Sequence, residues 1–558
     1  MVENIQSLNY YYMEQQHCNN KAFAAKFVWL CFPNICTVTW APLKQLFGND
    51  KSKSRPGAEM ENETAIRDLE AQIDLINAAI QDLSDKRRSL QTQRNSKLPF
   101  FNLPAEICVV IFSFACHKGR LPQGWNRELV TTPLVISSVC RAWRDMARSA
   151  PGLWSSVSLY IEPSTEGSAI QAELLDQWLR LAQTLPLSIT ITPKGKDAEG
   201  GVIHRTRLPT DVISVAASYS HQWESLDTPL PSAWATTLGS TTGRIPILRS
   251  LSLQSVPYKG ASFSPFSETF LDAPKLCTVA LESDSMNVGL PYHQLEKLTI
   301  WPSKTTPYLA VLKKCSSLTF CRINSLQDPD SNAAYFHWQP TQPTSIQLSK
   351  LVSLEIISFR PSEFLAYLVA PALEDIVVAL KEVSEVEVFS TFLNRSNTVL
   401  KRLTIIGYMP QEEHLLMMLD TLPHLSHLEL RLNGAGRNLA PSRALSWKFF
   451  DYLRSPNTTS GTFPLPCLKS FIYHIDFGIR DHLKDGENDG FDIDTLEKTL
   501  LTRWNAHLSS NGVSQLQTFC MSISRRYVSS KVVADMERSP VVKDLIKEGM
   551  DLVFKSQY

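Results

Sequence analysis

The chain has 558 residues, 43% apolar and 20% charged, ordinary proportions for a folded globular protein of roughly two to four domains. Lys plus Arg and Asp plus Glu each number 55, so the formal charge is zero and no basic excess points to nucleic acid or an anionic membrane. Eleven cysteines are an odd number with no Cys-x-x-Cys pair, which argues against a disulfide framework or structural zinc and for a reducing compartment, cytoplasmic and/or nuclear.

Residues 1–63 read as an N-terminal extension and linker. The apolar stretch Phe23–Trp40 is interrupted by Pro33-Asn34 and is short for a membrane span, so no membrane association is expected. Residues 48–63 are polar, with Pro56-Gly57 as a turn signal. A heptad helix is predicted over 64–96. Ile66, Leu69, Ile73, Ile76, Ile80 and Leu83 are spaced alternately three and four apart, and Leu90 returns on the same register, with Arg87 breaking one core position. Such a seam can make a dimeric coiled coil, fold back on the helices that follow, or remain a lone helix.

Residues 97–160 predict a small all-α domain. Pro104 suits a first helical position and Glu106 faces the positive end of the helix dipole. Ile107, Val110, Ile111 and Phe114 then form one apolar stripe that ends before Gly119. After a polar loop at 117–132, Thr132-Pro133 starts a second helix. Its Ile136, Val139, Cys140, Trp143 and Met146 or Ala147 share one face until Pro151-Gly152 stops it.

The ordered set Leu98-Pro99, Leu103-Pro104-Ala105-Glu106-Ile107, Ile111-Phe112, Val139-Cys140-Arg141-Ala142-Trp143-Arg144 and Pro151-Gly152-Leu153-Trp154 resembles an F-box, closest to that of the fungal F-box-like proteins. Phe100 and Cys108 depart from that pattern, standing where Ile and Leu are usual. The resemblance implies a Skp-type adaptor as partner, and through it a cullin–RING ubiquitin ligase. Carried over residue by residue, it implies Leu103, Pro104, Ile107, Ile111 and Phe112 as adaptor contacts, with Pro133, Leu134 and Val139. Cys108, if on that surface, would weaken docking by about a kilocalorie, the scale of one or two lost methylenes.

Beyond Trp154 the pattern becomes mixed. Val157-x-Leu159 and Leu187–Ile191 read as strands, with Leu174, Leu175, Trp178 and Leu181 as a helical stripe between them. A repeat L-x-x-L-x-L, with any large apolar residue or Cys allowed, then occurs ten times. It begins at Leu248, Leu276, Leu295, Leu318, Leu351, Leu373, Leu400, Leu425, Leu468 and Leu516. Most spacings overlap the roughly 20–29 residues of leucine-rich repeats, with wider gaps at 430–468 and 473–516. One strand per unit cannot bury its apolar face alone, so neighbours must stack. Helical stretches at Phe364–Val369, Val386–Leu393 and His414–Leu422 fit a strand-plus-helix repeat. The Asn usual after the last Leu is mostly missing, though Asn324 approximates it. The repeat domain is expected over 161–540, followed by a C-terminal tail, 541–558. Arg437–Arg443 and Lys484–Gly490 read as polar loops, and an ordinary α/β domain is the competing architecture.

The fold class expected is therefore α+β multidomain: an N-terminal heptad helix, a small all-α F-box, then an α/β leucine-rich-repeat solenoid. No phosphate-binding loop, His-Glu-x-x-His helix or Gly-x-Ser-x-Gly elbow is present, so no catalytic residue, cofactor or metal is assigned. Cys315 and Cys321 read as buried thiols, and His424 and His427 as surface or half-buried. Function is expected on the outward strand positions, where Lys297, Trp301, Phe320, Arg322, Arg402, His427 and Arg431 are the candidate contacts to a protein substrate. Together with the F-box resemblance this implies a non-enzymatic substrate-recognition subunit of an SCF-type ubiquitin ligase. The alternative is an adaptor-free interaction scaffold.

Overall fold

The computed structural model describes residues 56–117, 132–161, 168–193, 208–254, 268–282, 288–301, 308–325, 345–358, 360–380, 383–407, 412–433, 445–456, 463–476, 493–508, 512–524 and 535–557. The apolar stretch 23–40 and the polar loops at 437–443 and 484–490 lie outside these. Mixed α and β structure is built around one long parallel sheet. Two compact units result, Met1–Val157 with Gln177–Leu185, and Ser158–Asp176 with Pro186–Tyr558. No helix among the described residues is long and apolar enough to cross a membrane.

The first unit begins with α1 (Pro56–Ser96), so Pro56-Gly57 open a helix rather than a turn. Every seam residue of the heptad pattern is exposed, so among the described residues nothing covers the seam. A 3-10 turn at Pro99–Asn102 leads into α2 (Ala105–His117). The carbonyl of Pro104 accepts from Ile107 and Cys108 at 3.1 and 3.2 Å, placing Pro104 at the cap, one position before the place the sequence suggested.

The single helix expected from Thr132 is two: α3 (Thr132–Val139) and α4 (Arg141–Arg148). Cys140 sits between them in extended backbone, φ −160° and ψ 172°, and its Sγ accepts from the Trp143 N–H at 3.5 Å. Arg144 Nε donates to the Ser137 carbonyl at 3.0 Å, satisfying one of the acceptors that the break frees. The core is aromatic: Phe100, Phe112 and Trp143 form a cluster with centroids 4.7 to 6.0 Å apart. Trp154 donates to the Ala147 carbonyl and meets Trp178 edge to face at 4.9 Å.

The second unit runs strand by strand: β1 (Ser156–Ile161), β2 (Leu187–Pro193), β3 (Trp223–Pro229), β4 (Ser250–Gln254), β5 (Thr278–Glu282), β6 (Lys297–Trp301), β7 (Phe320–Ser325), β8 (Ile346–Gln347), β9 (Ser353–Ser358), β10 (Leu368–Val369), β11 (Asp375–Ala379), β12 (Arg402–Gly407), β13 (His427–Asn433), β14 (Ser470–Asp476), β15 (Thr518–Ser524) and β16 (Asp551–Gln557). Fourteen of them form one sheet in chain order, while β8 and β10 pair separately. From β2 onward every neighbouring pair in the large sheet is parallel.

All ten repeat units supply strands, and their apolar positions align across the sheet. Leu251, Val279, Leu298, Cys321, Leu354, Ile376, Leu403, Leu428, Phe471 and Phe519 form one buried row. Leu253 to Met521 form a second, two residues on, as the period of a strand requires. The leading leucines, Leu248 to Leu516, are buried as well. Parallel neighbours need a crossover, and helices supply it in most units: α5 (Ser168–Leu181), α6 (Asp211–Ser218), α7 (Ala235–Gly239), α8 (Tyr308–Lys314), α9 (Ser362–Leu365), α10 (Val383–Ser396), α11 (Glu412–Asp420), α12 (Trp447–Arg454), α13 (Ile493–Asn505) and α14 (Pro540–Lys547).

Two expectations are corrected here. The stretch 364–369 is the end of α9 followed by β10, not one helix. The segment 541–558 is not a tail: α14 leads into β16, which pairs with β15 over seven residues.

Candidate functional site

Two surfaces collect the residues that the sequence singled out, one in each unit. The first is the outer side of α2. Helical spacing puts Cys108 and Phe112 on one stripe, where both are buried, and Leu103, Ile107, Val110, Ile111 and Phe114 on another, where all are exposed, Ile107 by 47% and Phe114 by 70%. Leu98 is exposed too. Of the residues expected to meet an adaptor, Leu103, Pro104, Ile107, Ile111 and Val139 are accessible, and Leu134 is half-buried.

Phe112 and Pro133 are corrections. Phe112 is 2% exposed because its ring fills the space between Phe100 and Trp143, and Pro133 is buried at the start of α3. Neither offers surface to a partner in this arrangement. Val110 and Phe114 take the places on the stripe, and the helical period already grouped them with Ile107. Cys108 also turns inward, and burial raises its thiol pKa. The replacement of Leu by Cys therefore bears on the core instead of on docking. Phe100 supplies a ring to the same cluster.

The second surface is the sheet face opposite the buried rows. Parallel register sets outward side chains in rows of their own. Lys297 lies beside Phe320, Arg402 beside His427, and Arg322 beside Glu355. Trp301 and Arg431 lie at the next outward position of their strands, and Trp301 is 37% exposed. All seven candidate contacts thus share this face.

The three arginines among them do not stand alone. Arg322 Nε donates to Glu355 at 2.5 Å, with its guanidinium 5.7 Å from the Phe320 ring. Arg402 pairs with Asp375 at 3.2 Å, and Arg431 with Glu429 at 2.5 Å. Glu429 is a hub, since it also accepts from Thr404 at 3.4 Å and lies 3.7 Å from His474 Nε2. Burial, then Arg402 and Lys469, hold His427 below the usual histidine range, opposed by Asp375. His474 is lowered chiefly by burial, with Glu429 opposing and Arg431 and Lys555 adding.

Between these ion pairs, Ile357, Val377, Ala379 and Ile406 make an apolar strip on β9, β11 and β12. Glu429 already stood among the outward positions of its repeat, whereas Glu355, Asp375 and this strip were missed in the sequence; reading the same repeat position in adjacent units would have found them. Asn324 is half-buried, and its Oδ1 is buried without a hydrogen-bond partner.

The geometry suits binding. Among the described residues, no group of three or more His, Cys, Asp or Glu is placed to hold a metal ion. Cys315 and Cys321 are buried free thiols, and burial pushes Cys315 up to about 12. No protein-family model matches the chain, and no curated protein matches it.

Proposed function

We propose that this chain is the substrate-recognition subunit of an SCF-type ubiquitin ligase, with α2 and its surroundings as an F-box and the parallel sheet as a leucine-rich-repeat domain. The observation that carries the reading is the division of α2. Phe112 and Cys108 anchor it to an aromatic core, while Leu103, Ile107, Val110, Ile111 and Phe114 leave a continuous apolar stripe in water. Exposed contiguous apolar surface of this kind marks an interaction site.

On this reading α2 engages a Skp-type adaptor, and the outward face of the sheet captures a protein in a cytoplasmic or nuclear setting. The apolar strip of Ile357, Val377 and Ile406 supplies desolvation, and the paired charges around it discriminate among partners. Ubiquitin transfer belongs to other subunits. This chain contributes proximity, raising the effective concentration of substrate lysines near the charged enzyme without a catalytic residue of its own.

The test is co-purification of the full chain with a Skp-type adaptor, comparing wild type with Ile107→Asp/Ile111→Asp. Retention by the wild type and loss by the variant support the reading. An adaptor that the wild type does not retain overturns it and leaves an adaptor-free scaffold acting through the sheet face.

A further inference from the structure

The long helix α1 carries a second apolar stripe that is exposed among the described residues. Between residues 64 and 94 nearly every side chain is exposed, and Ile66, Leu69, Ile73, Ile76, Ile80, Leu83 and Leu90 are each more than half exposed. In heptad terms Ile66, Ile73 and Ile80 fall at a, and Leu69, Ile76, Leu83 and Leu90 at d. Seven such side chains from each of two copies would remove on the order of 1,400 Å² from water, within the range of specific interfaces.

We propose that α1 pairs with α1 of a second copy of this chain, in antiparallel orientation. The charge distribution selects both the occupant and the direction. From 64 to 79, Asp68, Glu70 and Asp74 outweigh Arg67; from 80 to 96, Lys86, Arg87, Arg88 and Arg94 outweigh Asp82 and Asp85. Each helix is therefore acidic in its first half and basic in its second. Antiparallel pairing sets unlike halves against each other, and parallel pairing sets like against like.

Arg87 sharpens the choice, because it occupies an a position inside the seam. Parallel alignment would press Arg87 against Arg87 of the other copy, with Lys86 beside it. Antiparallel alignment about a two-fold axis near Ala78 places Ile66 opposite Leu90, Ile73 opposite Leu83, and Ile76 opposite Ile80. Arg87 then lies opposite Leu69, with Glu70 of the second copy on the same edge. Leu83, Lys86, Arg87, Leu90, Gln91 and Arg94 border a shallow, open depression along this stretch. Its apolar floor and basic rim complement the Ile66–Ile73 half of the seam with its Glu70. The inference is independent of adaptor binding.

The test uses the full chain in sedimentation equilibrium, where a dimer has twice the 62.8 kDa mass of one chain. Wild type is expected to dimerise, and Ile73→Asp/Ile80→Asp to be monomeric while hydrogen-exchange protection of the parallel sheet stays unchanged. Arg87→Glu and Glu70→Arg should each weaken association by about tenfold, with two symmetric contacts turned repulsive, and the combined variant should recover it. A monomeric wild type at tens of micromolar overturns the proposal. So does a Glu70→Arg variant that associates as tightly as wild type, because antiparallel pairing sets Glu70 on the edge that Arg87 of the other copy occupies. Wild type and Ile73→Asp/Ile80→Asp should retain the adaptor equally, so loss of dimer and loss of docking are read separately.

Discussion

Phe112 and Trp143 lie with ring centroids 4.9 Å apart, so α2 is held by one stripe and shows its other stripe to water. Truncating the held side should cost stability. Phe112→Ala is expected to destabilise the helical unit by about 3–5 kcal/mol, the usual range for a large buried aromatic. Hydrogen exchange should report it as lost protection of the α2 amides. Ile107→Asp on the open side should leave that protection within about 1 kcal/mol of wild type.

The sulfur of Cys140 caps α4 at a long 3.5 Å. An oxygen is a better acceptor for a helix-terminal N–H, and Ser leads the residues preferred at this position. Cys140→Ser is therefore expected to stabilise the helical unit by about 0.5–1 kcal/mol, seen as slower exchange of the α4 amides. No gain, or a loss, would show that the sulfur matters through its contacts and not as a cap.

Arg503 is fully buried on α13, and its two terminal nitrogens donate to the carbonyls of Pro464 and Leu465 at 3.0 and 2.7 Å. Burial lowers its pKa to about 10, which leaves it charged at neutral pH. Leu465 has φ 46°, a left-handed conformation that costs a side chain of its kind roughly 1–2 kcal/mol. Arg503→Met fills the volume but strands the Pro464 carbonyl, while that of Leu465 keeps the Leu468 N–H, and is expected to cost about 1–3 kcal/mol in chemical denaturation. A neutral outcome would mean that water replaces the guanidinium.

The lowered histidines give the sheet a pH dependence. A histidine whose folded pKa lies below its unfolded value takes up its proton more readily on unfolding. Its contribution is therefore present above the unfolded value near 6.5 and is lost as pH falls through and below it. For His427 and His474 the melting temperature should drop between about pH 7 and 5.5, and His427→Asn/His474→Asn should flatten that slope. An unchanged slope in the double variant would assign it to other groups.

The repeat strands were legible because one rule, two buried side chains two residues apart after a leading leucine, was written ten times. Where a unit kept the geometry but changed the residues, it was hidden. β3 carries Trp223, Leu226 and Thr228, whose hydroxyl is buried and bonded to the Pro229 carbonyl. β16 has Gly549 at the leading position, with φ 101°, before Leu552 and Phe554. The break at Cys140 was hidden for a different reason: the apolar spacing continues unbroken across it, and cysteine is not among the usual caps. On the candidate surfaces, the period sorted α2 into stripes but could not say which one the aromatic core would take. Arg322, Arg402 and Arg431 were readable as outward-facing; Glu355 and Asp375 became partners only through register, whereas Glu429 lies two residues before Arg431 on β13 itself.

That register also governs how such a sheet can change. A strand's place is fixed by its two neighbours, and the length of the connection enters only through a slowly growing closure entropy. A whole strand-and-helix block can therefore be gained or lost between β7 and β14 without disturbing the alignment on either side. Each such event adds or deletes one column of outward side chains, so the exposed face can be revised column by column while the buried rows stay the same.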